Sequence, residues 1–172
     1  MTASRYARPE IERRFLLAGM PDGEVLKTVD IEDRYLDDTR LRLRRQAQRG
    51  GAVVFKLTQK PPRQGAYGEL TTLYIAEHEH ALLAALPAAA LRKARLSIAP
   101  YGIDVFAAPL DGLVLAEVEF GSEAEAQAFR PAAFCRAEVT ADERFTGASL
   151  VRATRAQVAA WAADYGVKLA TT

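Results

Sequence analysis

The amino-terminal half of the chain alternates apolar and charged residues with the period-two repeat of a β-strand. In the first such stretch, Glu10, Glu12 and Arg14 share one face, and the residues between them share the other. Two carboxylates one pleat apart repel each other, and a divalent cation commonly relieves this repulsion. A solvent-facing strand with ordinary charges is the alternative interpretation, because an antiparallel sheet often has one wet face.

Further stretches of the same kind follow, separated by turn residues. We predict strands over residues 10–17, 25–33, 34–36, 41–44, 53–59, 67–75, 92–99, 103–106 and 113–120. Residues 48–51, 100–102 and 110–112 are predicted turns, and residues 61–65 are a predicted exposed loop. So many short strands indicate a mostly antiparallel sheet that can close on itself.

The hydrophobic pattern changes to a helical period in three places. Residues 77–86 predict a helix, which could resume over residues 88–91 after an intervening proline. A capping box beginning at Ser122 predicts a short helix. Residues 154–165 predict an amphipathic carboxy-terminal helix that ends at Gly166. The fold class is therefore α+β.

Composition narrows the class of protein. The 172 residues suit one domain spanning residues 1–172, and a hydrophobic fraction of 49% with 26% charged residues is typical of a globular protein. The single cysteine, Cys135, excludes an internal disulfide and fits a reducing compartment. We find no apolar run of signal-peptide or membrane-spanning length, so we expect a cytoplasmic protein without a membrane partner.

Same-sign charges recur as pairs on one face of separate strands. These pairs are Glu10 with Glu12, Arg42 with Arg44, Lys56 with Lys60, Lys93 with Arg95, and Glu117 with Glu119. The intervening residues are mostly apolar, so packing them outward would direct the charges into a closed barrel. A polyphosphate with Mg²⁺ or Mn²⁺ would satisfy both sets together. The alternative is an open sheet with one salt-bridged face, but such a surface would be expected to mix signs along each strand.

Seven short motifs along the chain carry a resemblance to a known family. They are Glu10-Ile11-Glu12-Arg13-Arg14, Leu41-Arg42-Leu43-Arg44, Phe55-Lys56-Leu57, Lys93-Ala94-Arg95, Asp104-Val105-Phe106, Glu117-Val118-Glu119 and Glu138-Val139-Thr140-Ala141-Asp142. In these motifs and their order, over about residues 10–150, the chain resembles the CYTH, or triphosphate tunnel metalloenzyme, family and its small bacterial single-domain members. The resemblance implies a closed eight-stranded antiparallel β-tunnel with flanking helices and a carboxy-terminal helix.

The resemblance also implies an activity, the hydrolysis of a triphosphate that is bound with Mg²⁺ or Mn²⁺ inside the tunnel. On this interpretation Glu117 and Glu119 are catalytic. The implied substrate-binding residues are Arg14, Arg42, Arg44, Lys56, Lys93, Arg95 and Arg144. The implied metal ligands are Glu10, Glu12, Glu117, Glu119 and Asp142. Inorganic tripolyphosphate is the expected substrate, because the chain has no visible base-recognition motif.

Two departures from the family pattern keep other functions open. Arg14 stands where the family has lysine, which preserves phosphate binding but not proton transfer, because arginine stays protonated. Tyr67 and Thr71 stand on either side of Glu69, where members often have an arginine and a second glutamate.

The alternatives are a non-catalytic module that binds polyphosphate or nucleotides, a thiamine triphosphatase and an adenylate cyclase. A nucleic-acid partner is disfavoured, because the basic residues alternate inward and the net charge is only +1. The sequence leaves a homodimer open.

Overall fold

The computed structural model describes residues 6–60 and 67–170, so the predicted loop at residues 61–65 lies outside the described part. The strands are β1 (Arg8–Leu17), β2 (Lys27–Leu36), β3 (Leu41–Gln48), β4 (Val53–Gln59), β5 (Tyr67–Ile75), β6 (Ala88–Ile98), β7 (Tyr101–Phe106), β8 (Val114–Phe120) and β9 (Ala137–Glu138). The helices are α1 (Glu77–Ala84), α2 (Glu123–Ala128), α3 (Gly147–Leu150) and α4 (Arg155–Ala163), with a 3-10 turn at Glu143–Phe145.

The antiparallel sheet closes into a barrel. Its strands follow the order β5-β4-β3-β2-β6-β7-β8-β1, and β5 then pairs with the beginning of β1, where Arg8 lies opposite Leu70. The short β9 pairs with Phe15 and Leu16 of β1, beyond the residues that pair with β5. The predicted closed eight-stranded barrel, the α+β class and the carboxy-terminal helix are confirmed.

Three local predictions are wrong, and long-range pairing explains each difference. Residues 25–36 contain a single strand, because β2 pairs with β6 without a break from Lys27 to Leu36. Residues 88–91 are strand, because this same ladder supplies hydrogen-bond partners that outweigh the helical preference of alanine. The turn before β7 is limited to residues 99–100, and Tyr101 already pairs with Ile98.

Two apolar clusters lie on opposite sides of the barrel wall. Outside, Phe15 and Tyr101 belong to a buried cluster against which Phe129 and Phe134 pack. On the inside, the face of β1 that bears Glu12 and Arg14 becomes apolar at Leu16, which belongs to a second buried cluster. That second cluster consists of Leu16, Leu91, Phe106, Leu110, Leu113, Leu115, Val139, Phe145, Leu150, Ala153, Val158, Ala162 and Val167. The carboxy-terminal segment therefore fills one end of the barrel with apolar side chains, and the charged interior lies beyond it.

The carboxy-terminal helix has sequence-encoded ends. The Thr154 side chain accepts a hydrogen bond from the backbone of Gln157, whose side chain accepts in return from the Thr154 backbone. Gly166 follows the helix with a φ of 69°, a conformation that glycine adopts without strain. Within residues 6–60 and 67–170, every helix is too short or too polar to cross a membrane.

Candidate functional site: a charged cavity inside the barrel

A cavity of about 430 Å³ lies within the barrel. Its basic lining residues are Arg14, Arg40, Arg42, Arg44, Lys60, Lys93 and Arg95. Its acidic lining residues are Glu10, Glu12, Asp33, Glu117, Glu119 and Glu143. Tyr35, Thr39 and the segment from Thr146 to Ser149 complete the wall. Charges of both signs from five strands thus converge on one enclosed space.

Strand register explains why these side chains share the interior. In the β1–β8 ladder, Glu12 lies opposite Glu119 and Arg14 lies opposite Glu117. Residues directly opposite each other project from the same face of a sheet, so the two motifs converge on the inside. The outward residues of β1 behave differently, since Arg13 pairs with Glu138 at 2.5 Å on the outer surface.

Glu10, Glu12, Glu117 and Glu119 form the acidic wall of the cavity, and Arg14 lies between two of these carboxylates. Its Nη2 donates to Glu12 Oε1 at 2.6 Å, and its Nε donates to Glu117 Oε1 at 3.0 Å. Burial disfavours the charge of Glu117, but Arg95 and Arg14 outweigh it and hold the Glu117 pKa well below its ordinary value. Burial also disfavours the charge of Arg14, yet Glu117 and Glu12 raise its pKa. Both groups are therefore charged at neutral pH.

Asp104 holds two basic side chains of the cavity, Lys93 and Arg95, in position from behind the cavity lining. Its side chain is completely buried and receives hydrogen bonds from Lys93 Nζ and from Nε and Nη2 of Arg95. Arg95 also donates to Glu117, which links this anchor to the acidic wall. The sequence analysis matched Asp104 to a family motif without giving it a role, and its position between two cations is what the tertiary structure adds.

Asp33 holds the two arginines of β3, Arg42 and Arg44, in position in the same way. It is 1% exposed and accepts hydrogen bonds from Arg44 Nε at 2.6 Å and Nη2 at 2.7 Å, with Arg42 Nε 3.5 Å away. Burial opposes its charge, but Arg44 and Arg42 hold the Asp33 pKa well below its ordinary value. Sequence reasoning missed Asp33, because it divided residues 25–36 into two strands between Asp33 and Tyr35. The unbroken β2 ladder places both side chains on one face.

Arg42 differs from its neighbour in how its nitrogens are used. Among the described side chains, its buried Nε has no hydrogen-bond partner. The same atom lies 3.5 Å from Asp33 Oδ1, so the Asp33 carboxylate attracts Arg42 by charge without a hydrogen bond from this nitrogen.

Further cavity residues were absent from the predicted site. Lys60 Nζ lies 3.3 Å from Glu10 Oε2, and burial together with Arg42 lowers the Lys60 pKa. Burial and the nearby Asp33 charge raise the pKa of Tyr35 to about 12. The Tyr35 hydroxyl lies so close to Gly147 that a Cβ at this glycine would collide with it. The alternation of charges had already suggested Lys60, whereas the approach of Gly147 to Tyr35 depends on the fold.

The structure does not bring three of the predicted site residues to the cavity lining. Lys56 shares the inward face with Arg44, but its Nζ lies 5.1 Å from the ring centroid of Tyr74 and outside the cavity lining. Asp142 and Arg144, expected to bind metal and substrate, instead bind each other at 2.8 Å.

The pair formed by Asp142 and Arg144 holds the carboxy-terminal helix. Arg144 also donates to Asp164 at 2.7 Å and lies over the ring of Trp161, while the Tyr165 hydroxyl donates to Asp142 at 2.9 Å. Asp142 additionally caps the 3-10 turn by accepting from the Arg144 backbone. Local capping and helix docking therefore use the charges that sequence reasoning had placed at the site.

The remaining predicted residues do line the cavity. They are Glu10, Glu12, Arg14, Arg42, Arg44, Lys93, Arg95, Glu117 and Glu119, the last of which is exposed to solvent. Across residues 6–60 and 67–170, no three acidic, histidine or cysteine side chains are grouped so that they could hold a metal ion as they stand. The four glutamates nevertheless supply the hard oxygen donors that Mg²⁺ and Mn²⁺ prefer, so the donor chemistry fits such an ion.

The interior of the closed barrel therefore holds arginine and lysine side chains that carboxylates keep in position, together with the glutamates of β1 and β8. No protein-family model matches the chain. The chain is 38% identical over 150 residues to a protein of Nitrosomonas europaea described as an inorganic triphosphatase, covering 82% of this chain and 95% of that one.

Solved structures agree with this sequence relationship. The crystal structure described as the inorganic triphosphatase NE1496 has a TM-score of 0.57 at 30% identity, covering 84% of this chain and 95% of the other. A crystal structure described as the hypothetical protein NE1496 has a TM-score of 0.58 at 32% identity, covering 84% and 99%. The chain belongs to the CYTH, or triphosphate tunnel metalloenzyme, family.

Proposed function

We propose that the protein hydrolyses inorganic tripolyphosphate within the barrel cavity, with a divalent metal ion as cofactor. The observation that carries this proposal is the pair of buried aspartates, Asp33 and Asp104, which hold four basic side chains around one enclosed space. The name of the 38% identical relative supports the choice of substrate. The single cysteine is in keeping with a cytoplasmic location.

Substrate binding would depend on cations that are already in position. Arg44 and Arg95 each make two hydrogen bonds to a buried carboxylate, which limits the side-chain freedom that they lose when a phosphate binds. Arg42 lines the same cavity and adds a guanidinium charge beside Asp33. Lys93 and Lys60 add point charges to the same surface.

The metal would be held by glutamates of the acidic wall, Glu10, Glu12, Glu117 and Glu119. When bound, such an ion polarises the phosphoryl oxygens and offsets the charge of the triphosphate. The protein itself contributes enclosure, orientation of the terminal phosphoryl group and fixed positive charge. In the reaction, a water oxygen bonds to the terminal phosphorus, the bond to the bridging oxygen breaks, and pyrophosphate leaves with phosphate as the second product.

Positioned charge can supply much of the rate in such a reaction. Negative charge grows on the bridging oxygen as its bond to phosphorus breaks, and the arginines and lysines of the cavity stabilise it there. They need little rearrangement, because the buried aspartates already hold them. Glu117 and Glu119 face this region from β8 and are the proposed catalytic carboxylates.

Phosphate release from tripolyphosphate, with and without Mg²⁺ or Mn²⁺, tests the proposal. We expect metal-dependent release, and we expect Glu117→Gln to reduce turnover by orders of magnitude because a charged group of the acidic wall is lost. ATP and thiamine triphosphate serve as competing substrates. Faster release from either of them would replace tripolyphosphate as the substrate, and release from none of them would contradict hydrolysis.

One observation favours a second candidate function, capture of a triphosphate without hydrolysis. Arg14 already occupies the space between Glu12 and Glu117, where a catalytic metal would be expected to bind. Calorimetric titration with tripolyphosphate separates the two functions. Tight binding without phosphate release at saturating Mg²⁺ would identify the protein as a binding module.

A further inference from the structure

Arg14 has a fixed place in the acidic wall of the cavity. Its Nη2 and Nε donate to Glu12 and Glu117, and its Nη1 donates to the carbonyl oxygen of Phe145 at 3.1 Å. Acceptors from β1, β8 and the 3-10 turn therefore hold all three nitrogens of one guanidinium. The side chains of Arg14 and Glu12 are 8% and 6% exposed, so water cannot readily replace these hydrogen bonds.

The two carboxylates that Arg14 contacts are also candidates for binding a divalent cation. A carboxylate oxygen that accepts a hydrogen bond from arginine has less lone-pair capacity for a metal. The guanidinium charge, within 3.0 Å of both glutamates, also repels a second cation at this place. Metal binding to Glu12 and Glu117 therefore competes directly with Arg14.

We propose that Arg14 is a resident cation that offsets the charge of Glu12 and, together with Arg95, that of Glu117, and that it keeps a divalent metal off these two carboxylates until a triphosphate enters. This inference rests on the proposed function of the cavity. A triphosphate oxygen gives the Arg14 guanidinium a new acceptor, which releases the two carboxylates. The ligand that the cavity takes is then a complex of a divalent cation with a triphosphate, because the separate cation is opposed by Arg14.

The test measures Mn²⁺ binding without triphosphate, from the electron paramagnetic resonance signal of free Mn²⁺. Arg14→Lys keeps a positive charge, but one ammonium group cannot reproduce the planar fork that reaches three separated acceptors. Arg13→Lys is the matched control, because it makes the same change one residue away, on the outer surface beside Glu138. We expect Arg14→Lys to bind Mn²⁺ at least about tenfold more tightly than the parent, and Arg13→Lys to bind it like the parent. Equal affinity in the parent and Arg14→Lys would overturn the inference.

A second variant protects the test against a folding defect. Arg14→Met removes the charge while keeping an unbranched side chain, and it should also bind Mn²⁺ more tightly than the parent. If either variant is unfolded in metal-free buffer, circular dichroism during the Mn²⁺ titration replaces the binding measurement. Folding that Mn²⁺ restores and sodium chloride of equal ionic strength does not would support the role of Arg14. No recovery, or equal recovery with sodium chloride, would contradict it.

Phosphate release separates this inference from the proposed function. If the parent hydrolyses tripolyphosphate, and the parent and Arg14→Lys bind Mn²⁺ with equal affinity, the proposed function is supported and the role of Arg14 is contradicted. If the parent releases no phosphate, and Arg14→Lys binds Mn²⁺ more tightly than the parent, the role of Arg14 is supported and the hydrolytic function is contradicted.

Discussion

Replacing Asp104 by asparagine removes the negative charge that holds two basic side chains of the cavity. Oδ2 of this aspartate lies 2.6 Å from Arg95 Nη2, its Oδ1 lies 2.7 Å from Arg95 Nε, and Lys93 Nζ donates to Oδ2 as well. Asparagine keeps the volume, but its amide nitrogen would face donors that need acceptors. Breaking one side of a buried ion pair costs about 3–5 kcal/mol. Because Arg95 keeps Glu117 as a partner, we expect a loss near the lower end, about 3 kcal/mol.

Urea unfolding of the parent and Asp104→Asn measures this loss as a difference in unfolding free energy. Asp30→Asn is the matched control, because Asp30 makes a surface ion pair with Arg49 at 2.8 Å and is half-exposed. We expect little change from the control, since exposed ion pairs contribute little to stability. An Asp104→Asn variant as stable as the parent would refute the view that Asp104 compensates buried charge.

Tripolyphosphate distinguishes charge compensation from simple packing in the same variant. In Asp104→Asn, Lys93 and Arg95 lack one anionic partner, and a bound triphosphate would supply another. We therefore expect saturating tripolyphosphate to raise the unfolding midpoint more in the variant than in the parent. An equal increase in both proteins would show that the anion does not reach these two cations.

Three further predictions follow from the positions of individual charges. Arg44→Ala should weaken tripolyphosphate binding by about tenfold or more in calorimetry, whereas the exposed neighbour Arg45→Ala should not. Arg144→Ala should lower the thermal unfolding midpoint and leave KM unchanged, because Arg144 holds the carboxy-terminal helix; a raised KM with unchanged stability would contradict this. The folded-state pKa of Asp33 is depressed, so its stabilising contribution is complete above the ordinary aspartate pKa and is lost as pH falls below it. Asp33→Asn should therefore have a flatter dependence of unfolding free energy on pH between about pH 5 and pH 2, and an unchanged slope would refute that assignment.

Local pattern alone predicted much of the barrel and of its inner surface. Side-chain direction alternates strictly along a strand, so the spacing of Glu10, Glu12 and Arg14 was sufficient to place all three on one face. The same rule identified Arg42 with Arg44 as an inward pair, because strand parity depends only on neighbouring residues. The bounds predicted for β4 and β5 also agree with the structure.

Pairing between distant segments decided the rest. Arg14 and Glu117 are separated by 103 residues, and only the register of β1 against β8 brings their side chains together. The ladder with β2 converts residues 88–91 from predicted helix to strand, since backbone hydrogen bonds across the sheet outweigh a weak local preference. Arg144 likewise pairs with Asp164, at the end of the last helix, and therefore lies away from the cavity. The alternation of residues along a strand determines which face of the sheet a side chain occupies. The partner of a buried charge depends instead on how the barrel closes, because the compensating group can be far away in the chain.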